Sequence, residues 1–338
     1  MQTAVDWVEN QEKWYVRTLF ENLWKTSPLI TGVILAHVLL IGVCLVGLGV
    51  DDRTLLGEPT WIKPLKFAIS GAVYCGTIGW MMTFATKAKW IAKCIAGGNG
   101  ILMAGEVGIV TLQASRGLRS HYNLSTPLDA ALWQTMGMLI MLMWMLNLLF
   151  IFYLMFQPMK DFAFKSALIW GVIIGFCGGL TGFAMTEQHT PAQAEILEQG
   201  GSLDYSGGHT IGAEDGGPGL PFVGWSTTHG DVRPAHFFGL HGLQLIPLLG
   251  LFINSRWGHL SGRRRTVLVF TGSMAYLSFV YVLLQQALNG LPIIGFDLRT
   301  MLSLITITVT YGALWGWLTK WQVGAKLKFS SLNSSQRS

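Results

Sequence analysis

Residues 28–50 read PLITGVILAHVLLIGVCLVGLGV, an apolar run without one charged side chain. A bilayer core takes about 20 apolar residues in helical form. Only helices and closed barrels satisfy their own backbone there. The run therefore predicts a membrane-spanning helix, and the pattern recurs down the chain. Comparable stretches lie at 63–86, 90–113, 128–156, 164–186, 234–253, 266–288 and 299–320. The 128–156 stretch is long enough to tilt or to pass the headgroups. Of the 338 residues, 51% are hydrophobic and 12% charged, where a soluble domain carries about 25% charged residues. The predicted fold class is an all-α membrane protein, a bundle of about eight transmembrane helices with a long Gly-rich loop on the outer side.

The formal charge of +5 is explained by where the charges fall, so no nucleic-acid partner is implied. With a cytoplasmic N-terminus, the inner segments hold Lys13, Arg17, Lys25, Lys87, Lys89, Lys93, Lys160, Lys165, Arg256, Arg263, Arg264, Arg265, Lys320, Lys326, Lys328 and Arg337. The outer segments hold Arg53, Lys63, Lys66, Arg116, Arg119, Arg233 and Arg299. This is the positive-inside bias. Both termini are expected in the cytoplasm and the protein in a bacterial inner membrane. The expected partners are the lipid bilayer and a membrane partner subunit or second copy. No Walker-type or dinucleotide glycine motif is present, so nucleotide is not expected.

The expected organisation is a cytoplasmic lead-in over 1–27, one transmembrane domain over 28–320, and a disordered cytoplasmic tail over 321–338. Val5, Val8, Tyr15, Leu19 and Leu23, with Trp7, Trp14 and Trp24, suit a helix lying on the inner surface. Ser27–Pro28 and Thr126–Pro127 with Asp129 signal helix starts. Cys44, Cys75, Cys94 and Cys177 all fall inside apolar runs and read as buried thiols. The long connection at 187–233 is glycine-rich and acidic in its first half. It also carries Phe222 and Trp225 as apolar anchors. An ordered cap over the outer face is expected.

The chemistry-bearing residues gather toward the outer half. Asn99, Glu106 and Gln113 are seven apart, nearly two helical turns, and share a face. A carboxylate at that depth must be paired, metal-bound or protonated. Gly105 and Gly108 beside it suit a close helix approach. The stripe runs into Arg116, Arg119 and His121. His236 and His241 open the 234–253 stretch, five apart and so on different faces, with Gln244 below His241 and Pro247 expected to bend the helix. His37 is the other histidine deep in a span. Lys63 and Lys66 flank Pro64 at an outer helix start.

Glu106 and His241 are the candidate catalytic residues. Glu106, His236, His241 and His37 are the candidate metal ligands. Arg116, Arg119, His121, Gln113, Lys63, Lys66 and Gln244 are candidates for holding propionates or an anionic substrate. Three functions fit this set. The first is a redox protein using haem b or a non-haem transition metal. The second is a proton-coupled transporter of a small anionic solute using Glu106. The third is a receptor or assembly subunit that works through its cap.

Overall fold

The computed structural model describes residues 16–186 and 188–335. The chain is mostly helical. Helix α1 covers Val16–Thr26, α2 Pro28–Val50, α3 Ile62–Met82, α4 Lys89–Ser115, α5 Pro127–Met155 and α6 Phe162–Leu180. The short α7 and α8 cover Phe183–Thr186 and Pro191–Glu198; α9 covers Arg233–Trp257, α10 Gly262–Leu288 and α11 Leu298–Ser335. Among the described residues, seven helices are long and apolar enough to cross a membrane. The 63–86 stretch forms α3, which lies outside those seven because Lys63, Lys66 and several glycines dilute its apolar content. The lead-in residues Val5, Val8, Trp7, Trp14 and Tyr15 lie outside the described residues. The 321–338 segment, read as a tail, falls on α11 as far as Ser335.

Sequential neighbours pack together along α2 to α6, and α6 then packs most closely against α9. That closeness comes from glycine. A Cβ at Gly178 would sit 2.2 Å from the backbone carbon of Gly239, and the Pro247 ring lies over Gly171. Two backbones can touch only where neither carries a side chain. Helix α9 runs through Pro247 as one element. Gly105 packs on Leu139, whereas Gly108 faces open space and brings no helix close.

Helix caps follow the sequence unevenly. Thr126 accepts a hydrogen bond from the Asp129 backbone, while Ser27 makes no side-chain cap and Pro28 alone marks the start of α2. All four cysteines are free thiols. Cys44 and Cys75 are buried and Cys177 is partly so, but Cys94 is exposed, since Ala92 and Ile95 take the inward face of that turn.

The connections meet at two ends of the bundle. At one end, 51–61, 116–126, 188–232 and 289–297 come together. Leu124 N–H donates to Asp204 O at 2.7 Å, and Gly230 lies against Ala287 at the end of α10. The 188–232 segment forms a cap there. It contains α8 with a Thr190–Gln193 capping box, and the strand pair β3 (Thr210–Ile211) and β4 (Gly230–Asp231). A smaller hairpin, β1 (Thr54–Leu55) and β2 (Glu58–Pro59), lies beside it. At the opposite end, Gln157 accepts from the backbone of Thr86 and Lys87, and Arg265 pairs with Asp161 at 2.8 Å.

Candidate functional site

Glu106 projects from the cap-end half of α4, buried to 3% exposure. Its Oε1 lies 3.8 Å from His121 Nε2, and its Oε2 is buried without a hydrogen-bond partner. His121 stands in the connection from α4 to α5. Its Nδ1 is 3.2 Å from Lys63 Nζ at the start of α3 and 2.9 Å from Ser120 Oγ. An ammonium has donors only, so Nδ1 accepts and the ring proton sits on Nε2, facing Glu106. Three protonatable groups thus stand in line: ammonium, imidazole, carboxylate. Burial drives the His121 pKa well below the ordinary imidazole value, and the Lys63 charge adds to the shift. His121 is neutral at physiological pH.

Aromatic rings fix the imidazole. Phe67, Tyr122 and Trp133 lie 5.7, 5.9 and 5.4 Å from it, centroid to centroid. Tyr122 holds a left-handed backbone at φ +60, which costs a side chain about 1–2 kcal/mol. The cap and α5 offset that cost: Ser206 N–H donates to Tyr122 O at 3.0 Å, and the Tyr122 ring packs on Trp133 of α5 at 4.9 Å.

The cap closes over this line through charges that the sequence gave no motif for. Asp231 is held by Arg233 at 2.7 Å, and Arg233 also donates to Gly224 O. Lys66 pairs with Glu58 at 3.1 Å and donates to Val223 O at 3.3 Å. His209 Nδ1 is 3.0 Å from Asp215, which also accepts from the backbone N–H groups of His209 and Thr210. A protonated His209 or His236 would be near enough to act on His121. Asp215, Asp231, Arg233 and Glu58 were not among the candidate site residues read from the sequence. The only signal was the pairing of acids and bases within a few residues, as in His209–Asp215 and Asp231–Arg233.

The other expected residues hold different posts. Gln113 and Arg116 both bind Asp129, at 2.8 and 2.7 Å, and tie α4 to the start of α5. Arg119 stacks its guanidinium 4.3 Å from the Tyr205 ring and pins the cap. Asn99 accepts from Tyr74, which also reaches Asn147, so the Asn99–Glu106–Gln113 stripe is buried but serves three separate partners. His236 Nδ1 donates to Gly178 O at 3.0 Å, joining α9 to α6. His241 bonds Gln244 at 3.1 Å, and Gln244 reaches Thr77 of α3 at 3.1 Å. His37 donates from Nδ1 to Val33 O at 2.8 Å, and its other edge packs against Gly71.

Glu106, His236, His241 and His37 were expected to ligate a metal. Among the described residues, no group of three or more His, Cys, Asp and Glu could hold one ion. The physical reason is that each histidine is committed to a different neighbour. Compared with known proteins, the chain matches no family model, no curated protein and no solved structure.

Proposed function

We propose that the protein is an eight-span membrane transporter that couples a small anionic solute to proton movement through Glu106. Helix α3 is the eighth crossing, both termini are cytoplasmic, and the cap faces outward. The observation that carries this reading is the Lys63–His121–Glu106 line, ending on a carboxylate oxygen with no partner. A buried unbonded oxygen of this kind costs free energy and is retained where it has work to do.

The chemistry is a double proton shift. Lys63 gives a proton to His121 Nδ1 as Nε2 releases its own to Glu106 Oε1. The ammonium and carboxylate become an amine and a carboxylic acid, and the imidazole stays neutral but changes tautomer. No imidazolium is required, which suits a histidine whose charged form is disfavoured by burial. The 3.8 Å gap to Glu106 exceeds a hydrogen bond, so a small closing motion or one bridging water gates the transfer. The Lys63 ammonium supplies the positive charge for an anion entering beneath the cap.

The test is transport by reconstituted protein in liposomes carrying an internal pH dye, driven by an inward gradient of small carboxylates. Acidification that depends on both solute and protein is expected. Glu106→Gln, which keeps shape and loses the proton site, is expected to abolish coupled acidification without lowering thermal stability. Normal acidification by Glu106→Gln, or none from the wild-type protein with any small anion, would overturn the reading. Exposed Ile196, Leu197 and Phe222 on the cap favour partner binding as a second reading, in which deletion of 190–230 and not Glu106→Gln removes function. The haem or metal reading gains no support from the donor geometry.

A further inference from the structure

Away from the Glu106 site, α10 and α11 part toward the cap end and leave an open groove of about 1260 Å³. Its walls are apolar, with Leu277 and Val282 from α10 and Leu302 and Ile307 from α11. Both helices are among those apolar and long enough to cross a membrane. Inside a bilayer, water does not fill such a space. Its occupant is a lipid chain or another protein.

The mouth of the groove carries charge of both signs. Asp297 and Arg299 line it, at the start of α11. Among the described residues neither forms an ion pair. Asp297 Oδ1 accepts from Thr300 N–H at 2.8 Å, which fixes the carboxylate. Arg299 is exposed. Eight residues separate Arg299 from Ile307, roughly 12 Å of helix. The charged mouth therefore opens onto a wall about as deep as much of one lipid leaflet. Tyr281, 60% exposed on α10, adds an amphipathic ring of the kind that sits at membrane interfaces.

We infer that this groove binds one phospholipid of the cap-side leaflet with a zwitterionic ammonium–phosphate headgroup, its phosphate on Arg299, its ammonium on Asp297 and a chain along the groove. The charge pattern selects the occupant. A purely anionic headgroup would meet the Asp297 carboxylate, and an uncharged amphiphile would bring no phosphate to Arg299. A guanidinium fork suits a phosphate, and a fixed carboxylate suits an ammonium.

The test is native mass spectrometry of the full-length protein in mild detergent, with phosphatidylethanolamine or phosphatidylglycerol of identical chains. The expected result is one retained lipid per chain, with phosphatidylethanolamine favoured several-fold. Asp297→Asn is expected to remove that preference, and Arg299→Ala to weaken retention of both lipids. Ser303→Trp, which fills the groove, is expected to abolish retention at unchanged thermal stability. Equal retention of the two lipids by the wild-type protein would overturn the inference, as would retention that survives Ser303→Trp. A dimer that persists without lipid and is broken by Ser303→Trp would assign the groove to a second copy. None of these readouts depends on transport, so this site and the Glu106 site stand or fall separately.

Discussion

At the scale of single residues, the cap depends on groups whose charge state burial controls. His209 sits between Asp215 and the Arg233–Asp231 pair. Burial lowers its pKa from 6.5 to about 3; the Arg233 charge adds to the shift and Asp215 opposes it. Above pH 6.5 the imidazole is neutral whether the cap is closed or open. As pH falls from 6.5 toward 3, the open cap takes up a proton that the closed cap refuses, so closure weakens across that window. The cost is up to about 1.4 kcal/mol per pH unit. His121 is shifted in the same direction and adds to the effect. Protection of the 205–232 backbone against hydrogen exchange, taken relative to the intrinsic rate at each pH, is therefore expected to fall between pH 6.5 and 5. His209→Gln, which keeps a donor toward Asp215 and does not titrate, is expected to flatten that dependence. Unchanged protection over the interval in the wild-type protein would contradict the account.

At the scale of elements, the α6–α9 contact decides whether the site has a frame. His236 is bonded to Gly178 O, and Gly178 is also where the two backbones touch. A Cβ there would meet backbone atoms of Gly239 and Leu240 at 2.2 and 2.4 Å, and backbone cannot swing aside. One turn away, a Cβ on Gly175 would meet its nearest atom, Leu243 Cβ, at 3.4 Å, an ordinary contact. Gly178→Ala is thus expected to cost at least the ~1–3 kcal/mol typical of overpacking, and Gly175→Ala little. Thermal melting of the two variants in the same detergent checks this, and equal midpoints would show that the helices are not so close. The pattern Gly171, Gly175, Gly178 was present in the sequence, but nothing there identified α9 as the partner. Small residues report that some helix comes near. They do not report which one.

At the scale of the molecule, what the sequence revealed follows from how far each force acts along the chain. Burial in lipid is a one-dimensional signal, so the apolar runs, their order and the buried face of Asn99, Glu106 and Gln113 could be read directly. The 63–86 run was read as a span too, but α3 falls outside the seven helices apolar enough to cross, because Lys63, Lys66 and its glycines serve the site and helix contacts at the expense of apolarity. Lys63, His121 and Glu106 were each named as candidates, but their meeting could not be read, because they come from three segments joined only by the fold. The same separation made Arg116 and Arg119 look free when Asp129 and Tyr205 already hold them. The two ends of the bundle extend the argument to orientation. The end opposite the cap carries Lys87, Lys89, Lys93, Lys160, Lys165, Arg256 and the run Arg263–Arg265. At the cap end, Arg53, Lys66, Arg116 and Arg233 are each paired with a carboxylate. The excess of Lys and Arg at the end opposite the cap is what the proposed orientation rests on. A protease site inserted at Ser202 is therefore expected to be cut from the outer face of intact cells, and one inserted at Ser261 only after the membrane is opened. Cleavage at Ser261 from outside would invert the molecule, leaving the Glu106 line to face the cytoplasm and the proposed uptake to run as export.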